Sequence, residues 1–97
     1  MESAKLTEHQ HRLWNSMLQT VENYKDKNIS FSELVGALEG AFEAGEFRNE
    51  SLAERFYSLW QPLEITNAVK GNDATREEVA RDIEAMENFL LEYLLER

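Results

Sequence analysis

The chain has 97 residues, the size of one small domain, and 42% of them are hydrophobic, which is enough for a single core. It contains 19 Asp and Glu against 10 Lys and Arg, so its formal net charge is −9 at pH 7. This excess argues against a nucleic-acid binder and against a protein held on anionic lipid, since both need clustered basic side chains. The absence of Cys excludes disulfides and thiol catalysis, and the hydrophobic runs are far shorter than a membrane span, so we expect a cytoplasmic protein.

The first half of the chain contains two segments with helical periodicity. Residues 7–25 begin with Thr7 and Gln10 in the spacing of a capping box and carry an apolar stripe. Residues 31–44 follow Ser30 and Glu33 in the same spacing and end near Gly45. The apolar residues that define the two stripes are Leu13, Met17, Val21 and Tyr24 in the first segment and Phe31, Leu34, Val35, Leu38, Ala41 and Phe42 in the second.

Two further helices are predicted in the second half, at residues 50–70 and 75–95. Pro62 interrupts the third helix, and because proline lacks the backbone N–H that would bond the Ser58 carbonyl, we expect a kink or a break there. Thr75 and Glu78 form a third capping signal before the last helix. No segment shows the alternation of a strand, so the sequence predicts one all-α domain over residues 1–97, a compact bundle of four helices.

Motifs for metal binding and catalysis are incomplete. Residues 26–33 resemble the second half of a calcium-binding loop, but Tyr24 and Lys27 occupy positions that need an oxygen ligand and a glycine. His9 and His11 lie two residues apart and therefore point to nearly opposite sides of a helix. No nucleophile elbow or phosphate-binding glycine loop is present. We therefore predict no metal, no cofactor and no enzymatic activity.

The second predicted helix has an unusual distribution of charge and of small residues. Residues 28–47 contain no Lys or Arg, and Gly36 and Gly40 form a strip roughly opposite the apolar face. Glycine inside an exposed helix costs about 1 kcal/mol relative to alanine, so two glycines one turn apart suggest a close approach to the backbone. Either another helix of the same domain packs there or a partner protein docks there. The candidate partner-binding residues are Glu33, Gly36, Glu39, Gly40, Glu43 and Glu46.

The last helix offers a second candidate surface. Its apolar stripe broadens at Phe89, Leu91 and Leu95, which point to both flanks. Either these residues pack between two neighbouring helices or part of this surface is exposed and forms a homodimer. A third possibility is a small-ligand pocket around Trp14, Trp60 and the tyrosines, against which ordinary packing of an aromatic core must be weighed.

Residues 32–40, followed by Phe56, Trp60, Leu63 and Glu64, resemble a pattern in small uncharacterised bacterial helical proteins. The resemblance covers about a third of the chain and implies a bacterial, cytosolic origin. No reaction is assigned to that group, so the resemblance implies no catalytic residue. Pro62 inside the Trp60–Glu64 stretch departs from the pattern.

These observations favour a small acidic protein-binding module, in the manner of an immunity or inhibitor protein that docks on the basic surface of a nucleic-acid-acting enzyme. A dense carboxylate surface can occupy a phosphate-binding cleft and accelerate association. The alternative is a structural or regulatory homodimer with no inhibitor role.

Overall fold

The computed structural model describes residues 6–95, apart from the side chain of Leu95. Over these residues the chain forms four α-helices and no strand, as predicted. The helices are α1 (Glu8–Lys25), α2 (Phe31–Ala44), α3 (Glu50–Lys70) and α4 (Arg76–Leu95), and a short 3-10 turn, Gly71–Asp73, joins the last two. The predicted boundaries therefore agree with the structure to within a residue. Residues 1–5, 96 and 97 of the predicted 1–97 domain lie outside the described part.

Capping side chains set the starts of the helices. In α1, the Gln10 backbone N–H donates to Thr7 Oγ1 at 3.0 Å, and the Thr7 N–H donates to Gln10 Oε1 at 3.1 Å. The same reciprocal pair forms between Ser30 and Glu33 before α2. Each box satisfies backbone donors that a helix leaves without partners, so these starts are encoded locally. Thr75 and Glu78 repeat the arrangement before α4, and Asn49 caps α3.

The end of α1 is a Schellman motif with an unusual residue in it. The Asn28 N–H donates to the Asn23 carbonyl at 2.8 Å, and the Lys27 N–H donates to the Tyr24 carbonyl at 3.0 Å. Lys27 takes a left-handed conformation with φ of 67°. Glycine is the usual residue at this position, because a Cβ atom makes left-handed backbone unfavourable. Lys27 therefore stores local strain at the α1–α2 connection.

Helix α3 continues through Pro62 over its full length from Glu50 to Lys70. The predicted break is therefore wrong, and a kink is not confirmed. Tertiary contacts hold both halves of the helix: Phe56 before the proline and Leu63 after it are fully buried. The Ser32 hydroxyl also donates to Asn67 Oδ1 at 2.7 Å, which ties the end of α3 to the start of α2. Packing on both sides of Pro62 offsets the missing backbone hydrogen bond.

The core lies between the four helices, each of which packs against two neighbours: α1 against α2 and α4, and α3 against α2 and α4. Trp14 is fully buried at its centre, and its Nε1–H donates to the Leu90 carbonyl at 2.8 Å. This bond satisfies the one polar atom of the indole and fixes α1 against α4. The rings packed around Trp14 are Phe42, Phe47, Phe89 and Tyr93.

Among residues 6–95, no helix combines the length and the apolar composition needed to cross a bilayer.

Candidate docking surface on the second helix

The glycine strip of α2 is open. Gly36 and Gly40 are both exposed, and a Cβ atom placed on either would have no neighbouring atom of residues 6–95 within 4 Å. Close packing by another helix of the domain, one of the two explanations that the sequence allowed, is therefore wrong. Each glycine weakens the helix without serving an internal contact. Along this strip, the backbone of α2 is open to close approach by another polypeptide.

Gly45, at the end of the same helix, has a different role. A Cβ atom on Gly45 would lie 2.3 Å from Cε2 of Phe47, far inside van der Waals contact. Gly45 itself is right-handed, and the left-handed residue after it is Glu46, with φ of 49°. Gly45 is thus required for packing, whereas Gly36 and Gly40 have no such requirement.

The predicted carboxylates differ in their exposure and in whether they already accept a hydrogen bond within the domain. Glu33 is exposed, but its Oε1 accepts the Ser30 backbone N–H at 2.8 Å as part of the helix cap. Glu43 is exposed and Glu39 is half-buried, and by helical rotation both flank the glycine strip on its α3 side. Glu46 is exposed beyond the end of the helix. Glu39 and Glu43 are therefore the carboxylates best placed beside the strip.

Two aromatic rings from α3 border the same surface. The phenol of Tyr57 is half-buried, and burial together with the nearby charges of Glu43 and Glu39 raises its pKa. Trp60 lies beside it with ring centroids 5.9 Å apart, and its Nε1–H donates to the Val35 carbonyl of α2 at 3.0 Å. The surface therefore combines a glycine strip, two carboxylates and two aromatic edges. Sequence periodicity could not show that these rings border α2, because the α2–α3 pairing is a tertiary contact.

The candidate dimer surface on α4 is largely unavailable. Phe89 is 2% exposed and packs in the core, which corrects the expectation that it contributes to an open surface. Leu91 is 37% exposed. The side chain of Leu95 lies outside the described residues. The broadening of the α4 stripe instead reflects packing between two neighbours, since the Arg55 guanidinium of α3 covers the Phe89 ring at 5.0 Å.

The aromatic residues considered for a ligand pocket are used in packing. Trp14 is buried, and Trp60 is hydrogen-bonded to α2. A depression of about 490 Å³ lies elsewhere, between the end of α1 and α4, and neither tryptophan lines it. Val79 and Ile83 are among the residues that line it, and they are only 1% and 5% exposed.

Charged groups at the rim of this depression pair with one another. Lys25 Nζ lies 2.8 Å from Glu87 Oε1, and this hydrogen bond lowers the pKa of Glu87. Glu22 shares the site, and its hydrogen bond with Glu87 raises the pKa of Glu22. Within the described part of the chain, no group of three or more His, Asp or Glu residues is arranged to hold a metal ion. The Lys25–Glu87 ion pair joins the end of α1 to α4.

Comparison of the chain with protein-family models, with curated proteins and with solved structures found no match. The candidate surface is thus described entirely by its own geometry.

Proposed function

We propose that this chain is an acidic protein-binding module that docks through the outward face of α2 on a basic partner surface. The observation that carries the proposal is the open glycine strip. Gly36 and Gly40 lower the stability of an exposed helix, and no contact within the described residues compensates for them. If the backbone or side chains of a docking partner pack directly against the strip, the absence of side chains at both glycines is explained.

Charge defines the chemistry of the partner. The segment from residue 28 to residue 47 contains no Lys or Arg, and Glu39 and Glu43 stand beside the strip. Glu43 and Glu39 lie near the Tyr57 ring, Trp60 packs beside Tyr57, and aromatic side chains next to carboxylates suit a guanidinium group. The proposed partner is a protein whose phosphate-binding cleft is rich in Arg, and the module acts on it as an immunity or inhibitor protein in a bacterial cytoplasm.

The test uses three variants of the full chain as immobilised baits for extract of the host organism at low and high salt. Gly36→Ala/Gly40→Ala fills the strip, and Glu39→Gln/Glu43→Gln removes the adjacent charges. Glu77→Gln/Glu84→Gln removes the same number of charges from exposed positions of α4 and is the matched control.

A captured basic protein is then purified, and its direct affinity for each variant is measured. We expect the Kd to rise at least about tenfold with either α2 variant and with salt, and to change little with the α4 control. The proposal fails if no salt-sensitive basic partner is captured, or if the α2 and α4 variants bind equally well.

We do not propose a homodimer through Phe89, Leu91 and Leu95. Phe89 is core, and Leu91, the exposed member of the three among the described side chains, is too small an apolar patch to form a stable interface.

A further inference from the structure

Two carboxyl groups meet where the end of α1 packs against α4. Glu22 of α1 and Glu87 of α4 are both half-buried, and their side chains are hydrogen-bonded to each other. A carboxylate can only accept a hydrogen bond, so a bond between two carboxyl groups needs a proton on one of them. Without that proton, two negative charges lie in direct contact. The contact between the two side chains therefore depends on a single proton.

The charged groups around the pair lie on α1, at its C-cap and on α4. Lys25, one turn after Glu22, places its Nζ 2.8 Å from Oε1 of Glu87. Asp26 and Glu84 add two negative charges nearby. The charge of Lys25 opposes protonation of Glu22, whereas the charges of Glu87 and Asp26 favour it. One ammonium group thus faces four carboxyl groups, so a proton that neutralises one of them reduces the repulsion within the cluster.

The depression between α1 and α4 gives solvent access to the pair. Its volume is about 490 Å³, and Lys25 and Glu87 are among the residues that line it. Arg76 lines it as well, but its guanidinium donates to the backbone carbonyls of Tyr24 and Lys25, which secures the end of α1. Protons therefore exchange with the pair while the helices stay folded. The pair belongs to α1 and α4, so it does not depend on the candidate surface of α2.

We infer that Glu22 and Glu87 share one proton in mildly acidic solution, and that this shared proton strengthens the contact between α1 and α4. As the pH rises the proton leaves, and two neighbouring carboxylates on different helices then repel each other. In agreement, the hydrogen bond with Glu87 raises the pKa of Glu22, with burial as the second cause, and the hydrogen bond with Lys25 lowers the pKa of Glu87. Because the folded pKa of Glu22 exceeds the unfolded value, its contribution to stability is complete below the ordinary glutamate range and is lost as the pH rises through the raised pKa.

The first test is urea unfolding of the full chain between about pH 7.5 and about pH 5, where we expect the midpoint to rise as the pH falls. Glu22→Gln keeps a donor for Glu87 but has no proton to lose, so its midpoint should be higher at neutral pH and change less with pH. Glu84→Gln removes a carboxylate from the same depression without removing the bond to Glu87 and is the matched control, which should keep the original pH dependence. Histidine also titrates in this range, but all three proteins retain both histidines.

A second test follows the side-chain carboxyl carbons of the unaltered chain by NMR as the pH is lowered. We expect Glu22 to titrate above the ordinary glutamate range, and to titrate at lower pH in a Glu87→Gln protein, where the neighbouring negative charge is gone. Titration of Glu22 at or below the ordinary range would overturn the inference, as would a Glu22 titration that Glu87→Gln leaves in place. Equal pH dependence of the urea midpoint in Glu22→Gln and Glu84→Gln would overturn it as well.

Discussion

Replacing Gly36 or Gly40 with alanine adds one methyl group to the open face of α2. In the described part of the chain, no neighbouring atom lies within 4 Å of the new Cβ, so the change creates no clash and no new packing there. The whole effect then comes from the backbone, because alanine loses less conformational freedom than glycine when it enters a helix. We expect each substitution to increase the free energy of unfolding by about 1 kcal/mol, and the double variant by about 2 kcal/mol.

The measurement is urea unfolding followed by tryptophan fluorescence and circular dichroism. With a slope of about 1 kcal/mol per M urea, each single variant moves the midpoint upward by about 1 M. In thermal unfolding the same change raises the Tm by about 4–8 °C for a domain of this size. Both shifts are well outside the error of either method.

Two control substitutions, one within α2 and one at its C-cap, test whether the stability change comes from the helix backbone. Ala37→Gly is the reverse change at an exposed position and should lower the free energy of unfolding by about 1 kcal/mol. Gly45→Ala places a methyl group 2.3 Å from the Phe47 ring and should be destabilising by about 1–3 kcal/mol. If Gly36→Ala and Gly40→Ala were neutral or destabilising, the strip would be occupied in the folded protein and the argument for a docking lane would fail.

Three further predictions concern other parts of the fold. Lys27→Gly relieves the left-handed backbone after α1 and should stabilise the protein by about 1 kcal/mol in urea unfolding, whereas an unchanged midpoint would contradict the strain assigned to Lys27. Pro62→Ala restores a backbone donor for the Ser58 carbonyl and should stabilise the protein by about 1–2 kcal/mol. Part of this gain is offset, because proline lowers the entropy of the unfolded chain. A loss of stability would show that the proline ring makes essential contacts. The Lys70 hydrogen bond, with the Thr75 backbone N–H, lowers the pKa of Glu78, so the folded state binds fewer protons there than the unfolded state. The stabilisation is therefore present above the ordinary glutamate pKa and is lost as the pH falls through the lower folded value. Acid unfolding of Glu78→Gln should depend less steeply on pH in that window, and an identical acid transition would count against this contribution.

Local signals in the sequence were sufficient to place the helices. A capping box such as Thr7 with Gln10 acts over three residues, and apolar periodicity acts over a few turns, so both can be recognised without knowing the neighbours. The four predicted helices are confirmed for this reason. Pro62 is the exception, because buried contacts of Phe56 and Leu63 on either side hold α3 together, and such contacts depend on other helices.

The candidate surface on α2 likewise depends partly on local sequence and partly on contacts between helices. The order of residues and helical periodicity determined that α2 lacks basic residues and that two glycines lie opposite its apolar face. Whether another helix covers those glycines, and whether Phe89 faces a neighbour or the solvent, depended on how the helices are arranged around one another. Helical periodicity gives the direction of a side chain relative to its own axis only. The neighbouring helices are brought into place by long-range packing, so only the tertiary structure decided that the glycine strip is open and that Phe89 is core.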